Sequence, residues 1–216
     1  MREIPGEMAS RWREFSPGPV QEIPVRSNNV DLRILRLDLI RSWASGNKYF
    51  KLKYVLSEAL SAGRHTIVSK GGMFSNHLAA LSEACSAFDL HLVAVIRSYA
   101  PDELNPSIQR LRAHDHEILY LTPQAYKSFD ATDAEQLFPG ALFIPEGGLS
   151  DAGICGTSEI LQLSTEYNPS HIIVAGGSMG TALTVQPPSS GLSSKLMIVP
   201  SMHSLFSAGY GTGCEG

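Results

Sequence analysis

The stretch Thr66-Ile-Val-Ser-Lys-Gly-Gly-Met-Phe-Ser-Asn-His77 decides the fold class. Residues 66–69 are short, apolar and β-branched, the composition of a buried strand. Residues 70–75 read as a glycine turn, and 76–88 carry a helical pattern. Strand, glycine turn and helix in that order are the building unit of a parallel sheet covered by helices. Outward from it the same alternation continues. Upstream, residues 32–39 alternate like a strand. Residues 48–62 place Leu52, Val55, Leu56, Ala59 and Leu60 at helical spacing, with Gly63 at the stop. Downstream, strands are expected at 91–96, 117–121, 141–144 and 171–175, and helices at 105–113 and 155–167. A glycine turn at 176–180 runs into a further helix start. The expected fold is α/β: open, mostly parallel sheets with helices on both faces, in two lobes.

Composition narrows the function classes. The 216 residues are 43% hydrophobic and 18% charged, with a net charge of −4. No basic block draws the chain to nucleic acid or to an anionic membrane, and no apolar run is long enough to span a bilayer. The amino terminus lacks the apolar core of a secretion signal. Cys85, Cys155 and Cys214 are odd in number and far apart, which argues against a disulfide framework or a zinc site and fits a reducing, cytoplasmic compartment. From His171 onward only Lys195 and Glu215 are charged, and residues 186–194 are rich in Pro, Ser and Gly. Residues 186–216 therefore read as an atypical, disordered tail.

Three loops at the carboxyl ends of expected strands are rich in glycine or serine: 71–76, 146–150 and 176–181. Ligands of open α/β sheets bind at such ends. Lys48, in Ser45-Gly-Asn-Lys48, stands at a helix start, where the macrodipole disfavours a cation by roughly 0.3–1 kcal/mol. Three solvated lysines (48, 51 and 53) on a surface helix are the simpler reading. The alternative is an amine whose pKa is depressed by burial and by the helix end, which makes it a nucleophile toward an aldehyde. Ser75 and Asn76 suit an N-cap, and equally suit a grip on an anionic or ring-hydroxyl ligand. His77 reads as structural, stacking or proton-shuttling. Gly176-Gly-Ser-Met-Gly-Thr181 can cradle a phosphate on backbone N–H groups, and matches neither GxGxxG nor the P-loop. Glu146-Gly-Gly148 is a further turn whose carboxylate could equally brace the loop.

Read together, four stretches resemble the pyridoxal-phosphate-dependent 1-aminocyclopropane-1-carboxylate deaminase / D-cysteine desulfhydrase family of the tryptophan-synthase-β fold group, fold type II. They are Ser45-Gly-Asn-Lys-Tyr-Phe-Lys-Leu52, Gly71-Gly-Met-Phe-Ser-Asn-His77, Ile144-Pro-Glu-Gly-Gly148 and Val174-Ala-Gly-Gly-Ser-Met-Gly-Thr181. The resemblance runs from about residue 30 to about residue 185. It implies pyridoxal 5′-phosphate as cofactor, tethered covalently by Lys48. It implies that Asn76 contacts the 3′-oxygen of the pyridine ring, and that Ser75, neighbouring amides and His77 hold the substrate carboxylate. The turn carrying Gly176, Gly177, Ser178, Gly180 and Thr181 would bind the cofactor phosphate. The implied reaction is that of a lyase or deaminase on a small amino acid, releasing ammonia and an oxo acid, with sulfide from a cysteine-like substrate.

The resemblance also implies a larger lobe of residues 1–69 with 150–185, a smaller lobe of residues 70–149, and a homodimer. Family members continue past the phosphate turn, so the sequence reads as shortened at its carboxyl end. That departure leaves an alternative, an inactive or truncated isoform that binds cofactor weakly or acts through protein association. A nucleotide-binding regulatory domain built on the Gly176 turn is a third reading, without a P-loop lysine or an acidic ribose ligand to support it.

Overall fold

The computed structural model describes residues 20–23, 30–39, 44, 46–164, 167–176 and 195–200. Strands β1 (Val20–Ile23) and β2 (Leu32–Leu35) form an antiparallel pair, and a 3-10 turn, Leu37–Leu39, follows. Helix α1 (Asn47–Ser61) starts after Gly46, whose φ of 66° is one that glycine adopts without strain. The Gly46 amide donates to Leu37 O at 2.9 Å, which ties the helix start to the preceding turn.

The central layer is a four-stranded parallel sheet of β3 (Thr66–Gly72), β4 (His91–Arg97), β5 (Glu117–Leu121) and β6 (Leu142–Ile144), in the order β5-β4-β3-β6. Helices α2 (Asn76–Ala87) and α3 (Pro106–Ala113) link β3 to β4 and β4 to β5. Helices α4 (Pro123–Ser128) and α5 (Ala131–Leu137) then carry the chain back to lay β6 on the other side of β3. The strand order therefore reverses between β3 and β6, the place where open α/β sheets form a ligand crevice.

Both faces of the sheet are packed. On one, Ile67, Leu92, Ala94 and Ile96 join a core with Leu52 and Leu56 of α1 and Leu78 and Leu81 of α2. On the other, Val68, Val93 and Val95 pack on Tyr126, Phe129 and Ala134. Helices on both faces of a parallel sheet are the expected fold class.

A second 3-10 turn, Glu146–Gly148, leads into α6 (Asp151–Gln162), which packs along α1. Built Cβ atoms show why two glycines sit on α6. At Gly153 one would stand 3.3 Å from Lys51 O and 2.5 Å from Gly148 O, and at Gly156 one would overlap Phe50 O. The two helices approach to backbone contact through these glycines. Across the same seam, Glu159 receives Lys53 Nζ at 2.7 Å and a hydrogen bond from the Tyr54 hydroxyl. Strands β7 (His171–Gly176) and β8 (Lys195–Pro200) form a separate parallel pair.

The structure differs from the sequence reading in several places. Strand β1 was not expected, and residues 37–39, expected within a strand of 32–39, form a 3-10 turn. Strand β3 runs on through Lys70, Gly71 and Gly72, which were expected in the turn, because the ladder with β4 holds as far as Gly72 opposite Arg97. Helices α4 and α5 were not expected. Helix α6 begins at Asp151 rather than at 155, capped by Ser150 Oγ, which accepts from Gly153 N at 3.1 Å. Residues 195–200, assigned to the atypical tail, are strand β8.

Candidate active site

The loops leaving β3 and β6 meet the first turn of α1. Lys48 is the second residue of α1, half-buried, and its Nζ lies 3.4 Å from Gly147 O. Burial lowers its pKa from the ordinary lysine value. Lys51, one turn further along the same helix face, donates to that same carbonyl oxygen at 3.1 Å and is 2% exposed. Burial, and then the neighbouring Lys48, bring its pKa down to about 8. The accepting residue sits in a turn only glycine makes easily: Gly147 has φ 74° and Gly148 φ 72°.

From the β3 side, Ser75 caps α2, its Oγ accepting from Leu78 N at 3.3 Å. The Ser75 hydroxyl hydrogen is not used by that bond, and the amides of Asn76 and His77, in the first helical turn, have no partner four residues back. Asn76 opens the helix and is exposed. A Cβ at Gly71 would stand 2.7 Å from Ser75 Oγ and 2.9 Å from Leu78 Cδ1, so glycine there lets the α2 start fold tightly against β3.

His77 is buried at 3% exposure. Its Nε2 is 2.9 Å from Ser69 Oγ, and Ser69 Oγ is 2.7 Å from Ile144 O. Burial, followed by the charges of Lys48 and Lys51, depresses the imidazole pKa to about 3, so the ring is neutral near pH 7. The ring packs on the turn after β6: a Cβ at Gly148 would be 3.3 Å from His77 Cε1 and 3.5 Å from Nδ1.

Of the residues singled out in the sequence, Lys48, Ser75, Asn76 and His77 are thus placed around the carboxyl ends of β3 and β6. Gly176 ends β7. Gly177, Ser178, Gly180 and Thr181 lie outside the described residues. The sequence reading missed Lys51, although its spacing of three from Lys48 puts both on one helix face. It also missed Ser69 and the carbonyl of Gly147. The arrangement offers a half-buried amine biased toward its neutral form, a second buried amine beside it and a helix amino end with spare donors. Among the described residues no group of three His, Cys, Asp or Glu side chains could hold a metal ion, and no helix is long and apolar enough to cross a membrane.

No protein-family model matches the chain. Individual relatives do. The chain is 30% identical, over 179 residues, to a Thermotoga maritima protein provisionally named 1-aminocyclopropane-1-carboxylate deaminase, with 77% of this chain and 57% of the relative covered. It is 27% identical, over 186 residues, to the D-cysteine desulfhydrase of Salmonella typhi, with 77% of this chain and 56% of the relative covered. A crystal structure described as an ACC deaminase homologue superimposes with a TM-score of 0.67 at 26% identity, covering 79% of this chain and 55% of that one. A pyridoxal 5′-phosphate-dependent aspartate racemase matches in fold, with a TM-score of 0.67 at 16% identity, over 92% of this chain and 64% of the other. The chain spans about half the length of the curated relatives it matches. These relatives carry enzyme names and lend the reading of an inactive isoform no support. In sequence and in fold the chain belongs to the 1-aminocyclopropane-1-carboxylate deaminase / D-cysteine desulfhydrase family, of fold type II.

Proposed function

We propose that this chain binds pyridoxal 5′-phosphate through Lys48 and carries the reaction site of a lyase or deaminase for a small amino acid of the aminocyclopropane-carboxylate or D-cysteine type. The observation that carries the reading is Lys48 itself: an amine in the first turn of α1, biased toward its neutral form by burial, at the crevice where β3 and β6 diverge.

The residues present fit the cofactor. An aldehyde needs an unprotonated amine within reach, and an anionic aromatic ligand needs cations and spare donors nearby. Lys48 supplies the first, and Lys51 with the α2 amino end supplies the second. Bound pyridoxal phosphate supplies the carbonyl for a covalent tether and an electron sink for cleavage beside the amino-bearing carbon.

The chain's own groups do the rest. With the cofactor bound, Lys48 would be the group to take and return a proton at the substrate's amino-bearing carbon. The Ser75 hydroxyl and the free amides at the start of α2 bind the substrate carboxylate, which the helix dipole favours. Asn76 orients the cofactor ring through its 3′-oxygen. The Gly176–Thr181 turn holds the phosphate. The products are ammonia and an oxo acid, with sulfide from a cysteine-like substrate. Residues 70–149 form the smaller of two lobes, residues 1–69 with 150–185 the larger, and a homodimer is the expected assembly. In support, the relatives that match along the chain carry deaminase and desulfhydrase names.

The test is the visible absorbance of the purified chain with added pyridoxal phosphate, before and after borohydride. A visible band is expected, with a reduced pyridoxyl group on the Lys48 peptide after borohydride. Lys48→Ala should abolish both. An unmodified chain that stays colourless, or Lys48→Ala protein that colours equally, overturns the reading.

A further inference from the structure

The hydrogen-bond chain behind His77 fixes more than its position. Ser69 Oγ lies 2.7 Å from Ile144 O, and a carbonyl oxygen only accepts, so the single hydroxyl hydrogen of Ser69 is committed to that bond. Toward His77, 2.9 Å away, Ser69 Oγ can then only accept. Nε2 must therefore carry the ring hydrogen, and in a neutral imidazole this leaves Nδ1 as a bare lone pair. The opposite tautomer would set two lone pairs against each other at 2.9 Å. It would also turn an N–H toward the corner that holds Lys48 and Lys51. Nδ1 is fully enclosed and has no hydrogen-bond partner among the described residues, a costly state for a buried acceptor. It faces the Gly147–Gly148 turn, the turn whose carbonyl receives both lysines.

We propose that Ser69 is a positioning residue that locks His77 in its Nε2–H form, so that the enclosed Nδ1 presents a lone pair, and no N–H, to the corner that holds Lys48 and Lys51. The proposal rests on the reading of this corner as the amino-acid site. It also revises one expectation of the sequence: an acceptor gives no grip on a carboxylate, so the carboxylate falls to Ser75 and the α2 amides alone.

The experiment is a long-range proton–nitrogen spectrum of the full chain labelled with 15N-histidine, with His77 assigned by its loss in His77→Asn. In the unmodified chain at pH 7 the expected pattern is a protonated Nε2 and an unprotonated Nδ1. Ser69→Ala should mix or invert the two forms, and Ser69→Thr, which keeps the hydroxyl, should restore the first. Should Ser69→Ala not fold, Ser69→Cys, whose sulfur accepts weakly, must move the balance the same way. A protonated Nδ1 in the unmodified chain, or a Nε2–H signal that neither substitution disturbs, overturns the lock.

The tautomer is read without added cofactor. A colourless protein with the expected tautomer therefore sinks the cofactor reading alone, and a coloured protein with the wrong tautomer sinks this one alone.

Discussion

The sheet has a buried histidine at each end, and the two are wired differently. His116, at the amino end, uses both ring nitrogens: Nδ1 accepts from Leu92 N at 3.4 Å, and Nε2 donates to Ser82 O at 3.0 Å. It ties the start of β4 to α2 and has no bonding capacity left. His77, at the carboxyl end, has one nitrogen committed to Ser69 and one with no partner among the described residues. Both rings are buried and both are held neutral near pH 7, so neither burial nor protonation state at that pH tells them apart. Saturation does. A buried polar group with every bond filled is scaffold, whereas a half-filled one beside a half-buried and a buried lysine marks the candidate site. The lysines repeat the contrast. Lys70 donates to Tyr126 O and Phe129 O and so caps the end of α4, while among the described residues Lys48 reaches the Gly147 carbonyl alone, at 3.4 Å.

The carboxyl end owes its geometry to close backbone approach, so the largest expected effect is Gly156→Ala. The new methyl would overlap Phe50 O, a backbone atom that cannot rotate away, and α6 would have to lift off the helix that carries Lys48. A stability loss of about 3 kcal/mol or more is expected, with weakened cofactor uptake, read from urea midpoints and visible absorbance. Gly72→Ala is the control: nothing lies within 4 Å of its built Cβ, and it should be near neutral for stability. Equal behaviour of the two variants would mean that the helix seam is not what positions Lys48.

The next effect belongs to the amino end. His116→Ala removes a ring, takes from Leu92 N–H the acceptor it has on Nδ1, and takes from Ser82 O, a carbonyl within α2, its donor from outside the helix. A loss of about 2–3 kcal/mol in stability is expected, with cofactor colour per folded molecule unchanged. A variant that keeps its stability and loses its colour would reverse the assignment of scaffold and site.

Much of this was legible in the sequence where signals are local. Strand β5 falls on the expected residues, and Lys48 sits in the first turn of its helix as the helical spacing of Leu52, Val55, Leu56, Ala59 and Leu60 suggested. Two helices went unread although their caps were present: Thr122 before Pro123, and the Asp130–Asp133 capping box. The Gly71-Gly72 pair was read as punctuation, but a parallel neighbour kept it in the ladder. Gly153 delayed the expected start of α6, because a helix that needs glycine for close packing looks like a weak helix from within its own sequence. Ser69 could not be read at all. Its role requires β6, 75 residues away, to lie beside β3, and that adjacency is a property of the sheet order. Lys51 looked solvated for the same reason, since only tertiary packing buries it.

The smallest expected effect, and the one that separates the two histidines by degree, is the acid response. Burial lowers the pKa of both rings relative to the unfolded chain, where a histidine titrates near 6.5. At His77 the charges of Lys48 and Lys51 add to burial. At His116, burial and the neighbouring His114 and His91 lower the pKa, while the Ser82 carbonyl and Asp115 oppose them. Below pH 6.5 the unfolded chain takes up protons that the folded rings refuse, so stability falls as pH falls. Each refusing ring contributes a slope that approaches about 1.4 kcal/mol per pH unit. For His77 the slope persists until the pH nears the folded value of about 3. For His116, whose shift is opposed by two groups, it should level off at higher pH. Urea midpoints of the unmodified chain, His77→Gln and His116→Gln between pH 7 and pH 4 measure this. The expected result is that His77→Gln flattens the profile down to the lowest pH, and His116→Gln flattens only its upper part. Identical profiles for the two variants would show that the lysine pair does not reach His77, and with that the contrast between the two ends of the sheet would lose its electrostatic half.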